Sequence, residues 1–320
     1  MNKLAVGIDI GGTNTSIGLI NREGKIFYEH AIPTQIREHF EDFVADLYRE
    51  IKLGIEQLNE PCQIAGIGIG APNANYYSGC IEDAANLRWK GIIDLVSLFK
   101  KHIDAPVFLT NDANAAAIGE MIYGGAKQMN DFIVVTLGTG LGSGIVVNGK
   151  LLYGHDGFAG EMGHIIVEPN GRLCGCGRKG CLETYVSATG LVRTAAEQLA
   201  NFNMPSSLNA TPFNQLTSKQ VADAANSGDE VAKAAVLKTA KILGEALADV
   251  SVITSPKAIF LFGGLTKAGA LLIDEVKHHM EKNMLYLFKS KIQLLISELG
   301  DNAAIMGASA LVWAELENQQ

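Results

Sequence analysis

A pattern of strand, glycine loop, strand, turn and strand occurs twice in this 320-residue chain, and it constrains the fold more than any other feature. The first copy predicts three strands, at 4–10, 17–20 and 26–28. The second copy is the segment DFIVVTLGTGLGSGIVVNGKLLYG. Gly11 lies ten residues before Asn21 of the first turn, and Gly138 lies ten residues before Asn148 of the second. The repeat is therefore interpreted as an ancient duplication.

The rest of the chain alternates helices and strands, which is typical of an α/β fold. Apolar residues at three- and four-residue spacing from Phe40 to Leu58 predict an amphipathic helix. Further strands are predicted at 64–70, 107–111, 258–262 and 292–296, and further helices at 112–123, about 230–254, near 268–287 and from Asp301. We expect two similar lobes with a cleft between them and a hinge near residue 123.

Charge and hydropathy exclude several classes of function. The net charge is −8, the pI is near 5.4 and no segment carries a block of Lys and Arg, which argues against a nucleic acid or an anionic membrane as partner. No run of eighteen apolar residues occurs, and Asp9 interrupts the apolar N-terminal stretch before it could serve as a signal-peptide core. The expected location is the cytoplasm.

The glycine loops DIGGTNTSIG and LGTGLGSG each follow a predicted strand, where backbone N–H groups can face an anion. Neither loop fits the Walker A or the G-x-G-x-x-G pattern. Each could be no more than a glycine-rich hairpin turn, but two at duplicated positions favour a phosphate chain held from both lobes. Asp9 would then be available to hold a hydrated Mg²⁺.

Asp112 lies between an apolar strand and an alanine-rich helix, in TNDANAAA. A purely structural N-cap is one interpretation of this position. A general base that accepts a proton from an attacking hydroxyl is the other, and the two glycine loops favour it.

Three of the five cysteines lie within eight residues, in GRLCGCGRKGCLE. An odd number of cysteines argues against a disulfide framework. His164, Cys174, Cys176 and Cys181 have the spacing H-x9-C-x-C-x4-C, which favours a closed tetrahedral Zn²⁺ site over free thiols beside a chance histidine. Carboxylate and imidazole groups at Glu161, His164 and Glu183 would suit a polyol ligand.

Five motifs together resemble the ROK family, which contains bacterial sugar kinases and sugar-responsive repressors: DIGGTNTSIG, NDANAAAIGE, GTGLGSG, GEMGH and CGCGRKGCLE. They stand in family order across nearly the whole chain. The resemblance implies two ribonuclease-H-like lobes of the sugar kinase, heat-shock protein 70 and actin type, with an interlobe cleft. The smaller lobe would comprise 1–122 plus about 300–320, and the larger lobe, with the zinc-binding loop, 123–299.

The resemblance also implies a role for each motif residue. Asp112 is the expected catalytic base, and it binds the hexose together with Asn111, Glu161, His164 and Glu183. The first phosphate loop is Gly11, Gly12 and Thr13, the second is Gly138, Thr139, Gly140 and Gly142, and the adenosine side has Gly263 and Gly264. His164 would use one ring nitrogen for zinc and the other for the sugar. Where many relatives read PGxxD, this chain has Asn73 in place of the glycine.

The implied activity is transfer of the ATP γ-phosphoryl group to the 6-hydroxyl of a hexose, with glucose as the first candidate substrate. N-acetylmannosamine, N-acetylglucosamine, fructose and allose are alternatives within the same class. A repressor is disfavoured because eight residues before Asp9 are too few for a DNA-binding module, and a non-catalytic sugar sensor is the other alternative. A homo-oligomer, either dimer or tetramer, is expected.

Overall fold

The computed structural model describes residues 2–58, 60–201 and 204–318 of the chain. The predicted lobes also include residues 1, 59, 202, 203, 319 and 320, which lie outside the described residues. The strands in these ranges are β1 (Asn2–Ile10), β2 (Asn14–Ile20), β3 (Ile26–Pro33), β4 (Cys62–Gly70), β5 (Ala74–Asn75), β6 (Cys80–Glu82), β7 (Ile92–Asp94), β8 (Val107–Thr110), β9 (Phe132–Leu137), β10 (Leu141–Val147), β11 (Lys150–Leu151), β12 (Ala258–Phe262) and β13 (Gln293–Ile296).

The helices confirm those that the sequence predicts and add four more, of which α5 is as long as α8. They are α1 (Phe40–Glu56), α2 (Leu95–Lys100), α3 (Asp112–Ile122), α4 (Glu183–Val186), α5 (Ala188–Asn201), α6 (Ser218–Asn226), α7 (Glu230–Thr254), α8 (Ala270–Asn283) and α9 (Ala303–Asn318). The sequence analysis did not predict α2, α4, α5, α6 or the short strands β5 to β7. Several of these elements are too short to show a helical or strand period.

The two large sheets have the same strand order. One is β3-β2-β1-β4-β8, and the other is β11-β10-β9-β12-β13. In the first sheet β1 is antiparallel to β2 and parallel to β4, which is parallel to β8. In the second, β12 is parallel to both β9 and β13. This repeated topology is the one that the duplicated sequence pattern predicts, and β5, β6 and β7 form a small third sheet.

The described chain divides into two compact units. Unit 1 comprises 1–129, 144–159 and 297–320, and unit 2 comprises 130–143 and 160–296. The segments 123–129, 144–159 and 297–299 were predicted to belong to the second lobe but lie in unit 1. Of these, 144–159 packs on α3. A Cβ at Gly144 would lie 2.6 Å from the Ala117 methyl and 2.7 Å from the Ala113 carbonyl oxygen.

Helix α1 covers one face of the unit 1 sheet with its apolar side. Phe43, Leu47 and Ile51 are fully buried there, in a cluster that also contains Ile8 and Ile17 of the sheet. Each fully buried aliphatic or aromatic side chain contributes about 1.5–3 kcal/mol. The apolar period of α1 is therefore what attaches it to the sheet.

Helix α9 contacts the same sheet through a row of glycines. Gly18, Gly7 and Gly68 are neighbours across β2, β1 and β4. A Cβ at Gly7 would lie 2.1 Å from the Ile305 carbonyl oxygen, and a Cβ at Gly68 would lie 1.9 Å from that of Ala308. The backbone of α9 therefore approaches the strands more closely than any side chain would permit.

We expect Gly68→Ala to lower the stability of unit 1 by roughly 1–3 kcal/mol or more, because the new methyl group displaces the α9 backbone. Gly175→Ala is the control, since its methyl group would meet no atom within 4 Å. Urea unfolding curves of both variants measure the effect. Equal midpoints for Gly68→Ala and the wild type would contradict this packing.

Candidate active site

The first group of candidate residues lies where three parallel strands of unit 1 end. Asp9 of β1 is in register with Gly70 of β4, which is in register with Thr110 of β8. A Cβ at Gly70 would lie 3.7 Å from Asp9 Oδ1 and 3.7 Å from Asp112 Cα. The sheet thus brings Asp9 and Asp112 to one edge, and Gly70 leaves the space between them open.

Asn111, rather than Asp112, is the N-cap of α3. The Asn114 N–H donates to Asn111 Oδ1 at 2.7 Å. Asp112 Oδ1 accepts a hydrogen bond from the Ala113 N–H at 2.8 Å. The helix end is therefore capped by the neighbouring residue, and the structural role considered for Asp112 belongs to Asn111.

Both carboxyl groups at this edge have raised pKa values. Burial, with a smaller contribution from the negative charge of Asp112, raises the pKa of Asp9 to about 7. The side chain of Asp112 reaches solvent, yet the surrounding protein still limits its hydration and raises its pKa as well. Two crowded carboxylates of this kind favour a proton or a hard cation, and perturbed pairs are characteristic of functional sites.

The first glycine loop is held tightly within unit 1. A Cβ at Gly11 would lie 2.8 Å from the Asn14 carbonyl oxygen, and a Cβ at Gly12 would lie 3.0 Å from that of Asn86. Gln35 Nε2 donates to the carbonyl oxygens of Gly12 and Asn86. Gln35 was not predicted from the sequence, because a single polar residue in a short turn belongs to no recognisable motif.

Thr13 closes the same loop. Its carbonyl oxygen accepts a hydrogen bond from the Thr34 N–H at 2.8 Å, so the loop is also joined to the end of β3.

Asn73 occupies the position where the ROK pattern has glycine, and its conformation explains why the exchange is tolerated. Its φ is 51°, in the left-handed region that asparagine adopts more readily than most residues. Its Nδ2 donates to the Glu82 carbonyl oxygen at 3.0 Å, and its own carbonyl oxygen accepts from the Glu82 N–H at 3.0 Å. The turn is kept, and an amide side chain is added to it.

The second glycine loop, Gly138 to Gly142, lies in unit 2 between β9 and β10. The Ala188 N–H donates to the Gly138 carbonyl oxygen at 2.9 Å, and the Thr189 hydroxyl donates to that of Thr139 at 2.9 Å. The Gly142 N–H donates to the hydroxyl oxygen of Thr136 at 3.1 Å. The N-terminus of α5 and the end of β9 thus fix the loop.

Gly263 and Gly264 lie at the same edge of the unit 2 sheet, because Thr136 of β9 is in register with Phe262 of β12. Gly263 has a φ of 109°, and a Cβ there would lie 2.6 Å from the Leu137 carbonyl oxygen. Only glycine fits this position, so β12 can turn close beside the second loop.

The three candidate hexose ligands of unit 2 lie next to the cysteines. His164 Nε2 is 3.9 Å from Glu161 Oε2, and His164 Nδ1 is 3.7 Å from Cys174 Sγ. Glu183 Oε1 is 3.8 Å from Cys174 Sγ. The two nitrogens of His164 therefore face different groups, one a carboxylate and the other a thiol.

The cysteine cluster has the composition and spacing of a tetrahedral metal site. His164, Cys174, Cys176 and Cys181 place one donor atom each within 4.8 Å of the others. The sulfurs of Cys176 and Cys181 are 3.7 Å apart. Two thiolates on a tetrahedral ion with bonds of about 2.3 Å would be about 3.8 Å apart, so the donor set fits Zn²⁺.

The loop that carries these cysteines depends on its glycines, which the sequence predicts to fold tightly around an ion, and on an arginine that was not predicted. Gly177 and Gly180 have φ values of 84° and 82°, which permit its tight turns. The guanidinium of Arg172 is buried, donates a hydrogen bond to the Thr184 carbonyl oxygen and forms a salt bridge with Glu197. Nothing in the sequence distinguishes this arginine from a surface one.

Comparison with known proteins places this geometry in a family. Residues 5–315 match the ROK family. The glucokinase of Halalkalibacterium halodurans is 35% identical over 313 residues, which cover 96% of this chain and 94% of that protein. The glucokinase of Streptomyces coelicolor is 34% identical over 324 residues, which cover 96% of this chain and 97% of that protein. The chain therefore belongs to the ROK family, as its motifs indicate, and these relatives support a sugar kinase within it.

Solved structures agree with this assignment. A ROK family glucokinase from Streptomyces griseus, in complex with glucose and AMPPNP, superposes with a TM-score of 0.80 and 32% identity, covering 96% of this chain and 98% of that one. The predicted fold class is confirmed.

The family also includes repressors: a xylose repressor of Caldicellulosiruptor bescii is 28% identical over 97% of this chain and 78% of that protein. No helix in the described part of the chain has the length and hydropathy of a membrane span.

The raised pKa of Asp9 predicts a measurable effect on stability. Between pH 4 and 7, the carboxyl group keeps its proton in the folded state but loses it in the unfolded state, so stability falls as the pH rises. Asp9→Asn removes this penalty. In metal-free buffer at pH 8 we expect the variant to be more stable than the wild type by roughly 2 kcal/mol, with the difference vanishing near pH 4.

Urea unfolding at several pH values measures this difference, with the exposed Asp104→Asn as a control. Equal stability of Asp9→Asn and the wild type at pH 8 would show that the carboxylate of Asp9 is well solvated.

Proposed function

We propose that the protein is an ATP-dependent hexose kinase that phosphorylates the 6-hydroxyl group, with glucose as the preferred substrate. The observation that carries the proposal is the pair of carboxyl groups with raised pKa values, Asp9 and Asp112, which lie at the same edge of the unit 1 sheet next to Gly70 of β4. Two glucokinases similar to this chain over nearly their full length support the same activity.

In this proposal Asp112 is the general base. Its oxygen accepts the proton of the 6-hydroxyl as the hydroxyl oxygen forms a bond to the γ-phosphorus, and the bond from that phosphorus to the β,γ-bridging oxygen breaks to release ADP. Limited hydration raises the pKa of Asp112, which makes its carboxylate a better proton acceptor than an ordinary surface aspartate.

The nucleotide is assigned to the glycine loops. Gly11, Gly12 and Thr13 in unit 1 and the loop Gly138–Gly142 in unit 2 would offer backbone N–H groups to the phosphates, with Gly263 and Gly264 on the adenosine side. Asp9 is the proposed ligand for hydrated Mg²⁺, since its carboxyl group has the hard oxygen donors that this ion prefers. When bound, Mg²⁺ supplies positive charge to the phosphate oxygens.

Hexose recognition is assigned to Asn111 and Asp112 of unit 1 and to Glu161, His164 and Glu183 of unit 2. In this set, the carboxylates accept hydrogen bonds from sugar hydroxyls. The Asn111 side-chain oxygen is used by the helix cap, so its amide N–H groups are the ones available to the sugar. A site with several oriented polar groups discriminates strongly between sugars that differ in one hydroxyl.

Zinc has a structural role in this proposal. His164, Cys174, Cys176 and Cys181 are four ligands, so no coordination position remains for an activated water. The Nδ1 atom of His164 faces Cys174, and its Nε2 is on the opposite side of the ring. A bound ion would therefore fix the ring and direct Nε2 toward a sugar hydroxyl. Cytoplasmic location and a homo-oligomeric state stay predictions.

Asp112→Asn tests the proposed base. We expect kcat to fall by about 10²–10⁴-fold, because the amide keeps the shape of the side chain but accepts no proton. Glucose binding, measured by calorimetry, should be largely kept, and it also shows that the variant is folded. A loss of rate below about tenfold would rule out Asp112 as the base.

A second candidate function is sugar sensing without catalysis, which the similarity to xylose repressors favours. An ADP-release assay with glucose, fructose, allose, N-acetylglucosamine and N-acetylmannosamine separates the two and identifies the preferred substrate. A sensor would bind one of these sugars and release no ADP with any of them.

Cys176→Ser tests the zinc site. Elemental analysis of the purified wild type should give about one zinc per chain, and the variant should lose most of it because a serine hydroxyl is a poor zinc ligand. Glucose affinity should fall with zinc content, since the ring of His164 is then no longer fixed. Cys62→Ser is the control, because Cys62 lies in β4 of unit 1, outside the cluster. A zinc-free wild-type preparation with full glucose affinity would contradict this role.

A further inference from the structure

The carboxylate of Glu183 contacts the second phosphate loop directly. The Leu141 N–H, inside the loop, donates to Glu183 Oε2 at 2.9 Å. Glu183 begins α4, and the residues that follow this helix hold the start of the loop through Ala188 and Thr189. One short segment of chain, 183–189, therefore fixes the loop at three points, and only the Glu183 contact is made by a charged group.

Gly140 permits this contact. A Cβ at Gly140 would lie 2.4 Å from Glu183 Oε2, closer than two such atoms can approach. A Cβ at Gly138, in the same loop, would meet no atom within 4 Å. Because residue 140 has no side chain, the carboxylate of Glu183 can reach the Leu141 N–H.

We propose that Glu183 is a positioning residue for the phosphate loop as well as a hexose ligand, so that one carboxylate couples sugar affinity to nucleotide affinity. This inference rests on the proposed function, which assigns the sugar to Glu183 and the phosphates to the loop. The two oxygens have different contacts: Oε2 accepts the hydrogen bond from the loop, and Oε1 faces Cys174, whose sulfur is 3.7 Å from Nδ1 of the candidate sugar ligand His164.

Coupling of this kind acts in both directions. If the position of the carboxylate affects both ligands, a change in the loop alters sugar binding, and loss of the carboxylate alters nucleotide binding. A residue that served only as a hexose ligand would show neither effect.

The first test changes the loop and measures the sugar. Gly140→Ala pushes the carboxylate away, so we expect its glucose affinity, measured by calorimetry without nucleotide, to fall by about fivefold or more. Gly138→Ala is the matched control, because it makes the same substitution in the same loop without meeting Glu183. Its glucose affinity should stay within about twofold of the wild-type value.

The second test changes the carboxylate and measures the nucleotide. Glu183→Ala leaves the Leu141 N–H without its acceptor, and we expect the Kd of AMPPNP with Mg²⁺, measured without sugar, to rise by about fivefold or more. Glu183→Gln keeps an oxygen that can accept this hydrogen bond, so its Kd for AMPPNP should stay near the wild-type value while its glucose affinity falls. Glu161→Gln should likewise weaken glucose binding alone.

Unchanged glucose affinity in Gly140→Ala together with unchanged AMPPNP affinity in Glu183→Ala would overturn the coupling. If Glu183→Ala unfolds, the glucose affinities of Gly140→Ala and Gly138→Ala still test the coupling. A wild-type protein that binds AMPPNP but phosphorylates no hexose would instead overturn the proposed function, and the AMPPNP measurements would still test the contact between Glu183 and the loop.

Discussion

Direct packing of the α9 backbone on a row of glycines is the contact on which unit 1 depends. Gly7 and Gly68 leave space on two adjacent strands that the carbonyl oxygens of Ile305 and Ala308 occupy, and Gly18 on the next strand faces the Ile305 side chain. At Gly7 and Gly68 even a methyl group would collide with the helix backbone. Strands β1 and β4 are thereby held between α9 on one face and the apolar side of α1 on the other, and their carboxyl ends carry or adjoin the candidate catalytic groups.

At those carboxyl ends, stability and chemistry have opposite requirements. Folding is favoured by hydrated or neutral groups, yet Asp9 and Asp112 lie at one edge of the sheet, where the surrounding protein raises the pKa of each carboxyl group. A site that holds two such carboxylates is less stable at neutral pH than one with amides, and the same crowding favours a cation and a proton acceptor. The extensive burial elsewhere in unit 1 offsets this cost.

Unit 2 differs from unit 1 in that single residues take part in more than one site. His164 turns one nitrogen toward Cys174 and the other toward Glu161, and Glu183 turns one oxygen toward Cys174 and the other toward the phosphate loop. The cysteine loop, the candidate sugar ligands and the second glycine loop are thus connected through two side chains. Such sharing makes the geometry of each site sensitive to the others.

The sequence by itself determined the α/β class, the repeated strand pattern, most of the long helices and the family, because these follow from repeated apolar periods and from motifs that are contiguous in the chain. Its prediction for α7, 230–254, matches the helix observed. The tertiary structure alone decided that Asn111 caps α3, that Gln35 holds Gly12, that Arg172 supports the cysteine loop and that Glu183 reaches Leu141. Except for the cap, each of these contacts joins a polar side chain to a backbone group elsewhere in the chain, and such a hydrogen bond leaves no periodic trace in either segment. The sequence alone does not decide the cap either, since Asn111 and Asp112 are both favoured residues for it and only the direction of each side chain distinguishes them.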